Sequence, residues 1–241
     1  MLHACLIDVA VAKTEKYASR ESGDTVELIE RPAGGITVVM LDGQGSGRAA
    51  KTLSLLLSSK AVALVKEGVR DGVVARATHD FLFAFRHGQV SATLDLLSIE
   101  TRSASIVITR NAESPLLVCD DQGPRVVETA SGPIGRYRWT KPAIVQLPMR
   151  VGTQLAMFTD GIPHAGRKRG LDPLDFDALA GELLGRGLGA QEIADAILAR
   201  AVQKDAGLPG DDMAVVALSL APDAAGSGPA IRRMQVAIPM T

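Results

Sequence analysis

Apolar residues along this chain fall into short continuous blocks and longer periodic stretches, and the two kinds alternate in groups. Leu2–Ala12 is apolar and β-leaning and turns polar at Lys13-Thr14-Glu15-Lys16; Val26–Glu30 is a second short strand. Ile36–Leu41 is an unbroken apolar run, too short for a stable helix. It reads as a strand buried on both faces and stops at Asp42-Gly43. From Arg48 to Glu67 the positions Leu53, Leu56, Leu57, Ala61, Leu64 and Val65 form one helical stripe. From Val69 to His87 the stripe is Val73, Ala77, Phe81, Leu82 and Phe85, and Gly68 and Gly88 close the two helices. Strands return at Ala92–Ile99, Ala104–Thr109, Leu116–Cys119 and Val126–Glu128, the last two flanking the turn Asp120-Asp121-Gln122-Gly123-Pro124. No helix separates them, which predicts an antiparallel meander rather than βαβ units. Leu155–Phe158 is a further buried strand that ends at Asp160-Gly161. Helices follow over Pro173–Gly185 and Ala190–Lys204, Gly207-Leu208-Pro209-Gly210 breaks the pattern, and Met213–Leu220 is the final strand. The order predicts an α+β fold with antiparallel sheets packed together and helices outside. Ala221–Gly228 reads as a linker to a short tail, Pro229–Thr241.

Composition narrows the function classes. Of 241 residues, 46% are hydrophobic and 22% charged, which excludes disordered, collagen-like and disulfide-scaffold chains. Lys and Arg total 26 against 27 Asp and Glu, so no excess of positive charge calls for nucleic acid or a membrane surface. Aromatics at 3% also disfavour base stacking. The longest uncharged stretches, Pro32–Leu41 and Met213–Pro222, are ten residues each, against the ~20 that a membrane span requires. The N-terminus lacks the basic start and long apolar run of a signal peptide. Cys5 and Cys119 are too few and too far apart for a disulfide framework or a metal knuckle, so reduced thiols in a cytoplasmic protein are expected.

Three acidic points share one context. Asp42 and Asp160 each end a buried strand, and Asp211-Asp212 begins one. If the last strand runs antiparallel to the other two, all three meet at one edge of the sheet. Asp24, in Ser22-Gly23-Asp24, precedes another strand. Crowded carboxylates resist ionisation, and a bound cation removes the conflict. Oxygen donors without a nearby histidine favour Mg²⁺ or Mn²⁺ over Zn²⁺, and the four histidines are scattered. A competing reading starts from Gly43-Gln44-Gly45-Ser46-Gly47 between a strand and a helix, the setting of a phosphate cradle. Its spacing fits neither the dinucleotide fingerprint nor the P-loop.

Taken together, Asp42-Gly43-x-Gly45-x-Gly47, Thr159-Asp160-Gly161 and Asp211-Asp212-Met213 resemble, in order and spacing, the metal-dependent type 2C protein phosphatases, in their bacterial SpoIIE-type branch. Ser22-Gly23-Asp24, Asn111-Ala112-Glu113-Ser114-Pro115 and Gly132-Pro133-Ile134-Gly135 are similar to further segments of that branch, and the Asp42–Gly47 loop is most similar to its small RsbX-type stressosome phosphatases. The resemblance implies a four-layer α/β/β/α sandwich, two antiparallel sheets face to face with helix pairs outside, over residues 1–220, with 221–241 as linker and tail. It implies a serine/threonine phosphoprotein phosphatase with two Mn²⁺ or Mg²⁺ ions. Asp42 would bridge both ions, aided by the Gly43 carbonyl; Asp160 and Asp211 would ligate one, with Asp212 the alternative to Asp211. Asp24 would hold a water or a ligand position, and Arg20 would approach phosphate. A hydroxide between the ions would attack the phosphorus. Its substrates would be phosphorylated STAS-domain proteins of a stressosome or partner-switching pathway.

The sequence also departs from the branch. Many relatives carry His where Gln44 stands, so the proton donor is unassigned. Two other readings stay open: a catalytically inactive relative that binds such a partner as a scaffold, and a nucleotide-binding protein using the Gly43–Gly47 loop.

Overall fold

The computed structural model describes residues 5–32, 34–129, 131–223 and 232–238. The start of the first predicted strand at Leu2, the linker from 224 through 231 and the last three residues lie outside the described residues. Among the described residues ten strands and four α-helices follow one another as β1 (Cys5–Thr14), β2 (Asp24–Glu30), β3 (Ile36–Gly43), α1 (Gly47–Lys66), α2 (Asp71–Arg86), β4 (Ala92–Glu100), β5 (Ser105–Asn111), β6 (Leu116–Asp120), β7 (Gly123–Val127), β8 (Ala143–Pro148), β9 (Gln154–Phe158), α3 (Phe176–Leu183), α4 (Ala190–Lys204) and β10 (Met213–Pro222).

They build two five-stranded antiparallel sheets, ordered β1-β10-β9-β6-β7 and β2-β3-β4-β5-β8. Helices α1 and α2 cover the second sheet, and α3 and α4 cover the first. Three apolar layers result. One lies between the sheets, one under α1 and α2, and one under α3 and α4. β3 shows why both its faces are apolar: Val38 and Met40 enter the inter-sheet layer, while Val39 and Leu41 pack beneath the helices.

Two helical stripes are phased differently from the sequence reading. Leu56 is half-exposed, and Ser54 and Ser58 take the buried face of α1, where Ser54 Oγ lies 2.7 Å from Thr25 Oγ1. In α2, Val73 and Phe85 are exposed and Thr78 and His79 are buried. Each polar group has a partner that makes burial tolerable: Thr78 Oγ1 donates to the Val74 carbonyl, and His79 Nδ1 accepts from the Gly135 N–H. β8 is absent from the sequence reading because its apolar run is short, broken by Gln146 and bounded by Pro142 and Pro148. It is an edge strand paired only with β5, where Pro148 costs no ladder bond on a second side. The helix expected over Pro173–Gly185 is confined to Phe176–Leu183 and is capped by Asp175, whose side chain accepts from the Ala178 N–H. Gln235–Ile238 forms no strand.

One charge pair sits inside the inter-sheet layer. Arg110 on β5 and Asp95 on β4 are direct cross-strand partners, joined by two hydrogen bonds of 2.9 and 3.1 Å, and both are essentially inaccessible. Removing one partner leaves a buried charge uncompensated. Asp95→Ala is expected to cost about 3–5 kcal/mol in urea denaturation, whereas Asp95→Leu with Arg110→Met regains more than half of that loss. A single-variant cost below about 1 kcal/mol would contradict a buried, mutually compensating pair.

Candidate active site

The acidic positions converge, but not on one sheet as expected from the strand ends. Asp24 opens β2 and Asp42 closes β3, and the two are direct cross-strand partners in the second sheet. Asp160 follows β9 and Asp211-Asp212 precedes β10, both in the first sheet. The final strand is antiparallel to β9 yet belongs to a different sheet from β3, so the carboxylates meet across the sandwich. Thr159 ties the halves together. Its hydroxyl donates to Asp24 Oδ2 at 2.8 Å, its N–H donates to the Ala214 carbonyl, and its Oγ1 accepts from the Ala214 N–H.

Two glycines permit the close approach. A Cβ on Gly161 would lie 2.0 Å from the Asp212 carbonyl oxygen, and one on Gly43 would lie 2.6 Å from the Ala50 carbonyl oxygen of α1. Only a residue without a side chain lets each strand end lie this close to its neighbour.

The resulting cleft has a volume of about 670 Å³. Asp42, Asp160, Asp211 and Asp212 line it with Gly43–Gly45, and the opposite wall is Ala112–Pro115 with Pro133. Asn111 holds that wall in place by donating to Ser131 Oγ and the Gly132 carbonyl, so two segments far apart in sequence form one surface. Gln44 is engaged structurally: its Oε1 accepts from the Ser91 N–H at 2.8 Å and from the Ser91 hydroxyl. His164 Nδ1 lies 3.7 Å from Asp160 Oδ2.

The aspartates are not equivalent. Asp212 is buried and its two oxygens accept from the Lys16 and Gly23 N–H groups at 2.9 and 2.8 Å, which makes it a clamp on the β1–β2 connection. Asp211 is partly exposed, with Oδ1 3.9 Å from Lys16 Nζ. Asp24 is fully buried, and its Oδ1 has no partner. Burial, opposed by the Thr159 hydrogen bond and assisted by Asp212, pushes Asp24 up to about 7. Burial and the neighbouring Asp24, Asp160 and Asp211 push Asp42 up to about 9. Burial also raises Asp160, which His164 and a hydrogen bond with Asp42 partly oppose. Arg20 lies away from the carboxylates, in a neighbouring groove with Arg48 and Lys51.

Among the described residues no three His, Cys, Asp or Glu side chains already enclose one metal-sized point. The donor set nevertheless fits Mg²⁺ or Mn²⁺. These ions are commonly held by one or two carboxylates plus waters rather than by a complete protein cage. Asp42, the unpartnered Asp24 Oδ1, Asp160 and Asp211 supply hard oxygen donors around a charge deficit. Sequence reasoning missed Thr159 as the strut and Lys13 and Lys51, whose ammonium groups both donate to the Asp24 carbonyl. Thr159 was visible within its motif; the lysines carry no local signal.

The raised carboxyls set a pH dependence. In the unfolded chain Asp42 and Asp24 ionise at the ordinary 3.8, while in the fold they keep their protons to higher pH. Between those values the native state binds more protons than the unfolded state, so metal-free stability falls as pH rises from about 4 toward 9. Calorimetry in chelator is expected to show this fall, with a shallower slope in Asp42→Asn. Mg²⁺ or Mn²⁺ is expected to raise the wild-type midpoint more at high pH than at low pH. Equal slopes in the two proteins would contradict carboxylate crowding.

Comparison with known proteins agrees with this geometry. The family model for stage II sporulation protein E matches residues 32–221. The stage II sporulation protein E of Priestia megaterium is 25% identical over 224 residues, covering 90% of this chain and 37% of that protein, so the chain spans little more than a third of this relative's length. Among solved structures, the PP2C phosphatase domain of SpoIIE from Bacillus subtilis with a regulatory fragment superposes with a TM-score of 0.76 at 22% identity, covering 91% of this chain and 65% of that one. RsbX in complex with magnesium gives a TM-score of 0.67 at 15% identity, covering 89% and 96%. The described fold is that of PP2C phosphatase domains. Because the match runs from just before β3 into β10 and takes in all four helices, more than half of the chain, the chain belongs to the stage II sporulation protein E (SpoIIE) family.

Proposed function

We propose that this chain is a metal-dependent serine/threonine phosphoprotein phosphatase working at the carboxylate cleft. Its substrates are phosphorylated STAS-domain proteins of a partner-switching or stressosome pathway. The observation that carries the activity is the convergence of Asp42, Asp160 and Asp211 from two sheets on one open cleft, with Asp24 buried beside Asp42 as its cross-strand partner. Membership of the SpoIIE family supports it, and the substrate class follows from the resemblance of the Asp42–Gly47 loop to RsbX-type phosphatases. Free Cys5 and Cys119 suit a reducing compartment, so the reading places the protein in the cytoplasm.

Asp42, the cross-strand partner of Asp24, with the Gly43 carbonyl beside it, would hold the divalent ions together with Asp160 and Asp211. Asp24 serves through Oδ1, since Thr159 occupies Oδ2. Asp212, the alternative ligand to Asp211, accepts two backbone hydrogen bonds and so orients the segment that carries Asp24. When bound, divalent ions acidify water and offset charge on phosphoryl oxygens. His164, half-exposed in the cleft, is the imidazole placed to hold a proton for the leaving alkoxide; Gln44 has no such proton.

The antiparallel neighbours of β3 weigh against a nucleotide cradle at Gly43–Gly47, because the strand–loop–helix is not part of a parallel crossover unit.

Hydrolysis of p-nitrophenyl phosphate is expected with Mn²⁺ or Mg²⁺ and to vanish in chelator. Asp42→Ala is expected to lower it about 100-fold or more. A phosphorylated STAS-domain protein is expected to be turned over faster than an unrelated phosphoprotein. Undiminished activity in chelator, or none on any phosphorylated substrate by folded protein, would overturn the reading.

A further inference from the structure

A second concavity, about 490 Å³, adjoins the carboxylate cleft. Residues 20–24 form the wall between them: Ser22 lines the groove, and the next residue, Gly23, donates its N–H to Asp212 in the cleft. Lys13 from β1, Arg20 from the β1–β2 connection and Arg48 and Lys51 from the first turns of α1 line the groove, together with Glu15 and Glu21. Four positive charges therefore face two negative ones, in a chain whose overall charge is −1. Among the described residues none of the four cations forms an ion pair.

Two of these cations are held against each other. Lys13 Nζ and Lys51 Nζ lie 3.0 and 2.8 Å from the same Asp24 carbonyl oxygen, and Lys51 also donates to Thr25 Oγ1. A neutral carbonyl shared by two ammonium groups does not cancel their repulsion. Each ammonium has three donors, so Lys13 keeps two and Lys51 one beyond these bonds. An anionic occupant of the groove would relieve the repulsion and take up the spare donors.

The layout favours an extended polypeptide over a compact anion. The cations come from three chain segments, and Glu15 and Glu21 stand among them, so positive charge is spread along the groove rather than closed around one point. Half-exposed Leu55 adds apolar surface on the same lining. We propose that this groove docks acidic residues flanking the phosphorylated side chain of the protein substrate and so selects which phosphoproteins are accepted. The inference rests on the phosphatase reading above.

The test separates the two. A fluorescein-labelled peptide rich in Asp and Glu, without phosphate, is titrated by anisotropy against the full chain in chelator, beside a Lys-rich peptide of equal length. The acidic peptide is expected to bind, to weaken as salt rises, and to bind about fivefold more weakly to Arg48→Glu. Arg48 is exposed in the first turn of α1, where a carboxylate suits the helix dipole, so this variant keeps its fold. Its turnover of p-nitrophenyl phosphate with Mn²⁺ is expected to match wild type, while its KM for an acid-flanked phosphopeptide rises about fivefold at unchanged kcat. Equal binding of both peptides, unchanged affinity in Arg48→Glu, or displacement of the peptide by equimolar inorganic phosphate would overturn the assignment, the last by marking a small-anion site. Absence of p-nitrophenyl phosphate and phosphopeptide turnover in wild type would overturn the phosphatase reading and the substrate flank with it. The anisotropy data would still decide the preference of the groove.

Discussion

Mutual repulsion among carboxylates at the mouth between two sheets is the constraint to which the surrounding structure answers. Asp24, Asp42, Asp160, Asp211 and Asp212 occupy a region where each raises the cost of ionising its neighbours. The fold offsets that cost locally in different ways. Asp212 is satisfied by two backbone N–H groups, and Asp24 by the Thr159 hydroxyl. Lys13 and Lys51 place positive charge on the carbonyl behind Asp24. His164 and Asp42 oppose the rise of Asp160. What is left uncompensated, chiefly Asp42 and one oxygen of Asp24, is the electrostatic deficit a divalent cation fills.

The two-sheet architecture makes this crowding possible. One sheet supplies Asp24 and Asp42 as facing residues of a hairpin, and the other supplies Asp160 and Asp211 from the ends of adjacent strands. The apolar layer between the sheets sets their spacing, and Thr159 bridges them at the mouth. Gly161 and Gly43 matter because the approach leaves no volume for a side chain. Deeper in the same layer, Arg110 and Asp95 cross-link β4 and β5 through charge rather than apolar contact. Gly43 and Asp42 pair directly with Ala92 and Thr93 at the start of β4, so that ladder also carries the glycine loop.

Charge is sorted by place rather than by amount. An acidic cleft and a basic groove lie on either side of residues 20–24, while the whole chain is nearly neutral. A metal-loaded cleft can receive a phosphoryl group, and an adjoining basic groove can receive the acidic chain that carries it. On the proposed reading one short segment would couple recognition to chemistry, because Gly23 and Asp24 contact Asp212 and Thr159 while Arg20 and Ser22 line the groove.

Element order, the antiparallel meander and the identity of the acidic positions were legible in the sequence, because strand blocks, helical periods and Asp-Gly punctuation are local signals. Ala190–Lys204 matches its predicted bounds, and Ile36–Leu41 is buried on both faces as its composition dictates. The phase of α2 was not legible: His79 and Thr78 turn inward only because Gly135 and the Val74 carbonyl wait for them. Strand β8 was hidden by its shortness and its flanking prolines, and its terminal Pro148 is tolerated at an edge position. Sequence by itself determined which residue types were available for metal chemistry. Only the tertiary structure decided that Asp42 and Asp160 meet from different sheets, that Asp212 is consumed by backbone N–H groups, and that Arg20 lies in the basic groove rather than among the aspartates. Those outcomes depend on contacts between residues up to 196 positions apart, as between Lys16 and Asp212, and no local pattern encodes them.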